Sequence, residues 1–288
     1  MIAPAVAIAL LVSLLASVSQ AWPAQPRTGA ALQRRIIVGN DFGCRSKFRP
    51  VVVLHGLFAT RETDLNLLET WLRLQGYCTF GLTYGAPPLL ISVGGVAAID
   101  DSAAQIRNSI NEVLTKTGAS KVDIVGHSEG GFQALYVAKR EGLSARIGRI
   151  VALAPPTSGA AYPNLVGLGD LLRPAVSVQI LTGGCLGCVG LLPGSTEVAS
   201  LHDGPVTQPG NDVTVIATRY DKVVTPPGTA SFIHESGVYN VFVQDVCSAD
   251  LTTHNGMALD PNVWNLIHNA LTGDNGREFT CVPYISPV

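Results

Sequence analysis

Ser128 lies in a five-residue pattern, Gly126-His127-Ser128-Glu129-Gly130, that is typical of a nucleophile elbow. A β-branched apolar run at 121–125 precedes this pattern, and a helix-like run at 132–140 follows it. The elbow needs this strand–turn–helix context, because its serine sits in a strained turn from which the hydroxyl group projects. The pattern predicts that Ser128 is a nucleophile for acyl transfer. The alternative is a glycine-rich connection between a strand and a helix that happens to contain a serine.

Donors for an oxyanion are expected after an upstream strand. The apolar run at 50–54 ends in His55-Gly56, which indicates a buried parallel strand that breaks into a loop. The tetrahedral intermediate of acyl transfer carries a negative oxygen, and each backbone N–H that holds it contributes about 3 kcal/mol. We expect two such donors, the N–H of Leu57 and the N–H of Glu129, the residue after the serine.

An acid and a base are expected in loops that follow two downstream strands. Asp221 follows the strand-like run at 212–218, and His254 lies in the loop after the run at 239–244. Loops at the carboxyl ends of parallel strands converge on one edge of a sheet. We therefore predict that His254 takes the proton of Ser128, while Asp221 orients the imidazole and stabilises its charged form.

Other acids and histidines compete for these two roles. Asp245 and Asp250 both lie after the strand that should deliver the histidine, and Asp221 could instead be an ordinary turn aspartate. His254 could be an ordinary surface histidine, but it is favoured because it alone follows a late core strand. The other five histidines are expected in packing positions, in a covering helix or in loops: His55, His127, His268, His202 and His234.

The chain also resembles a known family, the secreted triacylglycerol lipases of the bacterial-type lipase class 2 group within the α/β-hydrolase superfamily. The resemblance runs from about Asp41 to Cys281 and is carried by six blocks: RPVVVLHGLFA, GYCTFGLTYG, KVDIVGHSEGG, IVALAPP, VIATRYDKVVTP and VFVQDVCSADLTTHNGMALDP. It implies the Ser…Asp…His order of these hydrolases, with Ser128 as nucleophile, Asp221 as acid and His254 as base.

Two residues depart from the family pattern. Glu129 stands where relatives usually carry glutamine or another uncharged residue, and Leu57 stands where relatives often carry threonine. Both backbone N–H groups survive these changes. We expect the Glu129 carboxylate to turn toward solvent or a cationic neighbour, because a negative charge in the first turn of a helix is favoured by the helix dipole.

The first forty residues differ in character from the rest of the 288-residue chain. Residues 1–21 are predicted to be a signal peptide, because the apolar run 2–18 precedes a small-residue cleavage site at 19–21. The alternative is an uncleaved membrane anchor. Residues 22–40 are expected to be an N-terminal extension with a candidate processing site at Arg34-Arg35, and residues 41–288 a single domain.

Composition limits the partners of the chain. Charged residues make up 14% of the sequence, the formal net charge is −2 and the mean hydropathy is +0.31. The sequence has no basic patch of the kind that would suggest nucleic-acid binding. The sequence gives no sign of a stable protein partner, and we expect a secreted, extracellular protein.

Six cysteines in a secreted chain suggest three disulfides, although six cysteines allow fifteen pairings. We favour Cys44–Cys78, Cys185–Cys188 and Cys247–Cys281. The alternative for the C-x-x-C pair at 185–188 is a redox pair or half of a zinc site. No second such pair and no paired histidines accompany it, so neither a metal nor another cofactor is expected.

Alternating strand and helix patterns predict a mostly parallel sheet of about six strands with helices on both faces, and the family resemblance implies that this is the α/β-hydrolase fold. A capping box at 102–105 predicts the start of a helix that ends at Gly118, and Asp260 and Pro261 predict the start of a later one. The strands are expected near 50–55, 77–83, 121–126, 148–154, 212–219 and 239–245.

The substrate must be inferred from the segments that interrupt the core. An insert at about 157–211 and the loop at 87–91 are rich in leucine, isoleucine, valine and proline. Local packing accounts for about half of these residues, and the rest suggest a hydrophobic cap and acyl pocket for lipid or other hydrophobic esters. The alternatives are an esterase or a lactone or polyester hydrolase and, from another class, a non-catalytic binding protein of the same fold.

Overall fold

Six parallel strands form the sheet that carries the site residues, in the order β2-β1-β3-β4-β5-β6. The computed structural model describes residues 39–87, 93–161, 164 and 184–286. The predicted fold class and all six predicted strands are confirmed. The strands are β1 (Val51–Leu54), β2 (Thr79–Gly81), β3 (Val122–His127), β4 (Ile147–Leu153), β5 (Asp212–Ala217) and β6 (Tyr239–Phe242).

Helices connect the strands and cover both faces of the sheet. The eight α-helices of the described part are α1 (Arg61–Asp64), α2 (Asn66–Leu74), α3 (Ile99–Thr117), α4 (Glu129–Arg140), α5 (Leu186–Gly190), α6 (Thr196–Leu201), α7 (Val243–Val246) and α8 (Pro261–Thr272). Two 3₁₀ turns, Ser144–Arg146 and Asn255–Ala258, complete the regular structure of that part.

The order of the strands creates the crevice in which the site lies. The chain runs from β1 outward to β2, returns to pair β3 with the other side of β1, and then continues outward through β4, β5 and β6. Ligands of open parallel sheets bind at the carboxyl ends of the strands where the direction of winding reverses. Here that point lies between β1 and β3, which deliver Leu57 and Ser128.

Each face of the sheet has its own hydrophobic core. Because side chains alternate along a strand, Val52 and Leu54 of β1 face the core under α3 and α4, while Val51 and Val53 face the core under α2 and α8. All four side chains are at most 1% exposed. A sheet that is buried on both faces explains why the central strands are apolar without alternation.

Two helix starts were predicted from capping patterns, with different outcomes. The helix α8 begins as expected: the side chain of Asp260 accepts the N–H of Asn262, Pro261 occupies the first turn, and Gly273 ends the helix with φ 77°. The prediction for α3 was wrong, because this helix begins at Ile99, and Ser102 is buried within it. Ile99, the first residue of the helix, is fully buried in the core of that face, so the helix starts one turn before the capping pattern.

A buried ion pair fixes α1 and α2 against β2. Arg61 Nε and Nη2 donate to the two oxygens of Glu69 at 2.7 Å each, and Thr79 Oγ1 donates to the same carboxylate at 3.0 Å. Glu69 is fully buried and Arg61 is 6% exposed. This pair lies close to the candidate site, because Asp64, which accepts the N–H of Gly56 in the loop after β1, lies between its two members in the chain.

Three disulfides hold the outer segments, and they join the pairs expected from the sequence: Cys44–Cys78, Cys185–Cys188 and Cys247–Cys281. The first joins the segment before β1 to the residue just before β2. The last joins the end of α7 to the C-terminal segment.

The expectations for the signal peptide, for Arg34-Arg35, and for most of the apolar stretches at 87–91 and 165–181 lie outside the described residues. Within the part of the chain that is described, no helix is long and apolar enough to span a bilayer.

We expect Glu69→Ala to destabilise the protein by about 3–5 kcal/mol, because it leaves the buried Arg61 guanidinium without its carboxylate. Glu112→Ala is the matched control: it breaks an exposed ion pair with Lys116 and should change the free energy of unfolding by at most about 1 kcal/mol. Urea denaturation at neutral pH measures both values. Equal losses in the two variants would contradict the importance of the buried pair.

Candidate active site

The backbone of Ser128 adopts a strained turn between β3 and α4. Its φ is 55° and its ψ is −120°, in a region that non-glycine residues rarely occupy. A Cβ atom on Gly126 would lie 2.2 Å from the carbonyl oxygen of Gly130, and a Cβ on Gly130 would lie 2.1 Å from that of Leu54. The two glycines are therefore required by close backbone packing around the serine.

The structure brings Ser128, Asp221 and His254 together in one chain of hydrogen bonds. His254 Nε2 lies 2.9 Å from Ser128 Oγ, and His254 Nδ1 lies 2.8 Å from Asp221 Oδ2. All three residues are at most 5% exposed. The other oxygen, Asp221 Oδ1, accepts the backbone N–H groups of Val223 and Val224 at 2.8 Å each, which orients the carboxylate.

The electrostatics of Asp221 favour its charged form. Burial raises the pKa of Asp221, but the neighbouring His254 and the backbone N–H groups together lower it by more, so the net pKa lies below the usual value.

The rival acids lie elsewhere: Asp245 pairs with Arg219, and Asp250 accepts the N–H of Thr252 and the Asn262 amide.

The backbone N–H groups of Leu57 and Glu129, both close to Ser128, have no acceptor among the described residues. Glu129 is the first residue of α4, where a helix leaves N–H groups unsatisfied. Gly56 packs closely on the elbow, because a Cβ on it would lie 3.2 Å from Ser128 Cβ. This arrangement suits an oxyanion held between the two loops.

The remaining histidines have other partners. His55 stacks on Tyr84 with ring centroids 4.1 Å apart, and its Nε2 accepts the Tyr84 N–H at 3.2 Å. Burial lowers the pKa of His55, so the ring is neutral and its Nδ1 donates to the Gly56 carbonyl at 2.8 Å. His268 lies on the covering helix α8 and contacts the Tyr77 hydroxyl group, whereas His202 and His234 are exposed.

The expectation for the Glu129 carboxylate was wrong. Glu129 is fully buried, and neither of its carboxylate oxygens has a hydrogen-bond partner among the described residues. Burial raises the pKa of Glu129 well above its usual value; Gln133 opposes this only weakly, since its Nε2 donates to the Ile99 carbonyl at 3.1 Å. The first turn of α4 is not at the surface, because this helix is packed against β1, β3, β4 and α3.

Sequence reasoning missed Asp64 and Ser286. Asp64 Oδ2 accepts the N–H of Gly56 at 2.8 Å, and His127 Nδ1 lies 3.0 Å from both Asp64 oxygens. Ser286 Oγ accepts the N–H of Thr253, the residue before His254, at 2.7 Å. No local pattern marks either residue, because each reaches the site through a tertiary contact.

A cavity of about 240 Å³ opens beside Ser128. It is lined by Ser128, His254 and Leu57, together with Gly56, Phe58, Ala59, Thr63, Asp64, His127, Asn255, Ala258 and Leu259. Within the described ranges, no cluster of histidine, cysteine, aspartate and glutamate side chains could hold a metal ion.

Sequence comparison identifies a family and several relatives. The family model described as lipase (class 2) matches residues 48–263. A triacylglycerol lipase of Pseudarthrobacter phenanthrenivorans is 27% identical over 41% of this chain and 36% of its own length. One of Vibrio cholerae is 28% identical over 50% of this chain and 43% of its own length. The matches thus span less than half the length of these curated relatives.

Solved structures share the fold at low sequence identity. Lipase B of Aspergillus fumigatus superposes with a TM-score of 0.63 at 17% identity, covering 85% of this chain and 57% of that one. The mature lipase BlEst2 of Bacillus licheniformis gives a TM-score of 0.54 at 14% identity, covering 80% of this chain and 93% of that one.

We expect Glu129→Gln to remove a pH dependence of stability. The raised pKa of folded Glu129 means that its stabilising contribution is complete below the unfolded value near 4.5 and declines as the pH rises toward the folded value. Relative to the wild type, the Gln variant should therefore gain stability with rising pH, by up to about 1.4 kcal/mol per pH unit. Urea denaturation between pH 5 and 8 measures the difference, and parallel curves would contradict it.

Proposed function

Since this chain belongs to the lipase class 2 family, we propose that it is a serine hydrolase of lipid esters, a triacylglycerol lipase. The observation that carries the proposal is the unbroken chain of hydrogen bonds from Ser128 through His254 to Asp221. A base within hydrogen-bond reach of a serine, itself held by a carboxylate, is the arrangement that activates a serine for attack on an ester carbonyl.

The proposed reaction passes through an acyl-enzyme. Ser128 Oγ attacks the ester carbonyl carbon while His254 Nε2 takes its proton, and the negative oxygen binds to the N–H groups of Leu57 and Glu129. His254 then gives the proton to the departing alcohol. Water enters, loses a proton to His254 and attacks the acyl carbon; the bond from that carbon to Ser128 Oγ then breaks, His254 returns the proton to Ser128 Oγ, and the fatty acid leaves. No cofactor takes part in these steps.

The surroundings of the site favour a hydrophobic ester. The helix α5 of the insert packs on the segment around Gly95, where a Cβ on Gly187 would lie 2.1 Å from the Gly95 carbonyl oxygen. Gly95 in turn lies against the Leu57 backbone. On this helix Leu186 and Val189 are 57% and 53% exposed, which leaves apolar surface near the proposed oxyanion site.

A second candidate is an esterase or lactone hydrolase with a different ester substrate. The fold allows it, since an enol-lactonase of Burkholderia xenovorans superposes with a TM-score of 0.51 at 13% identity.

The three disulfides are compatible with export, and we propose that the protein is secreted.

A substrate series tests the lipase assignment. We expect hydrolysis of p-nitrophenyl esters from butyrate to palmitate and release of fatty acid from emulsified triacylglycerol. Ser128→Ala should lower kcat by about 10⁵-fold while the protein stays folded, and Ser200→Ala, outside the triad, is the matched control. Turnover of short esters without triacylglycerol hydrolysis would favour the esterase, and absence of any turnover would favour a binding protein.

The acid and the base can be tested separately. His254→Ala should reduce kcat nearly as much as Ser128→Ala does, and Asp221→Asn somewhat less, because the imidazole retains part of its function without the carboxylate. The exposed His234 provides the control, since His234→Ala should leave kcat unchanged. Steady-state kinetics on p-nitrophenyl butyrate would contradict the assignment if the two histidine variants showed the opposite order.

A further inference from the structure

We infer that Asp64 and His127 form a second histidine–carboxylate pair. This pair positions the loop after β1, which carries Leu57, and the loop that carries His254 relative to Ser128. The inference rests on the proposed function, because it concerns how the same site is held for catalysis. Neither side chain contacts Ser128 Oγ in the structure, so the pair would act through the backbone of other residues.

The geometry connects three segments of the site. Asp64 Oδ2 accepts the N–H of Gly56, next to the proposed oxyanion donor Leu57, at 2.8 Å. His127 lies immediately before Ser128, and its Nδ1 is 3.0 Å from each Asp64 oxygen. Its Nε2 donates to the backbone carbonyl of His254 at 3.0 Å. The pair therefore links the loop after β1, the elbow after β3 and the loop that carries the base.

The hydrogen-bond roles around His127 are those of a charged ring beside an ionised Asp64. A backbone carbonyl only accepts, so Nε2 must carry a proton, and an ionised carboxylate only accepts, so Nδ1 must carry one as well. Burial lowers the pKa of His127, but the Asp64 carboxylate, the His254 carbonyl and Asp221 together raise it more, so the net pKa lies above the usual value. For Asp64 the opposing effects leave the pKa lowered.

The setting makes the pair rigid. His127 is 4% exposed, and the Asp64 side chain is 10% exposed. The other titratable groups that face the pair are His55, which is neutral, His254, whose ring lies 5.1 Å from that of His127, and Asp221, which is paired with His254. A charge-assisted hydrogen bond between buried groups is stronger than a neutral one.

Three variants separate hydrogen bonding from mere packing. In Asp64→Asn the side-chain oxygen can still accept the Gly56 N–H, and the amide can donate to a neutral His127 whose Nε2 still donates to His254. Asp64→Ala and His127→Phe remove the connection. We expect kcat on p-nitrophenyl butyrate to fall by about 10²-fold in Asp64→Ala and His127→Phe, with KM changed less than about threefold, since misplacement by about 1 Å costs that much.

The conservative variant and the double variant sharpen the test. Asp64→Asn should retain kcat within about tenfold, and the double variant Asp64→Ala/His127→Phe should be no worse than either single variant, because both remove one connection. His268→Phe is the control: it removes a histidine–tyrosine contact at the opposite edge of the sheet and should leave kcat unchanged. Urea denaturation of each variant is the check that it is folded under assay conditions, and kcat values are compared only among folded variants.

An independent readout does not depend on activity. The ¹⁵N chemical shifts of the His127 ring should be those of an imidazolium at neutral pH in the wild type and those of a neutral ring in Asp64→Asn. The inference is overturned if Asp64→Ala retains kcat within about threefold, if the losses in the double variant add, or if His127 is neutral in the wild type. A wild type without ester hydrolysis would instead overturn the proposed function.

Discussion

A serine at φ 55° is held in place only if its neighbours leave it no relaxed alternative. Such a backbone costs about 1–3 kcal/mol, and here it is fixed from several directions. The Ser128 N–H donates to the Leu153 carbonyl at 2.8 Å, and the Ser128 carbonyl accepts the N–H of Gly131 at 3.0 Å. Gly130 lies directly against the backbone of Leu54 in β1. The turn is thus locked between two strands, and its position follows from the order of the sheet.

The loop that carries His254 has no comparable support from the sheet, and it depends on contacts around its ends. The disulfide Cys247–Cys281 brings the C-terminal segment beside it, where Leu251 N–H donates to the Tyr284 carbonyl at 2.9 Å. At its far end, burial and the neighbouring Asp250 carboxyl group raise the pKa of Asp260 to about 8. Asp250 also fixes this loop, because its two oxygens accept the N–H of Thr252 at 2.7 Å and the Asn262 amide at 2.6 Å.

How much could be predicted from the sequence depended on the range of the interactions involved. The strands, the elbow and the Ser…Asp…His order follow from local patterns, and the structure brings those residues together. The burial of Glu129 could not be derived, because the dipole argument treats the first turn of α4 as exposed, whereas tertiary packing covers it. Asp64 was missed for the same reason: its role depends on how α1 folds back onto the loop after β1.

Three acidic side chains lie near the proposed nucleophile, and the packing around each of them limits its negative charge. At an effective dielectric constant near 20, a free carboxylate about 5 Å from an oxyanion would cost about 3 kcal/mol, which would cancel one oxyanion donor. The site avoids this cost in different ways: Asp221 is paired with His254, Asp64 is paired with His127, and Glu129 is held in a buried place that favours its neutral form. At the proposed oxyanion site, two of the three carboxyl groups are thus paired with histidines, and burial favours the neutral form of the third, Glu129.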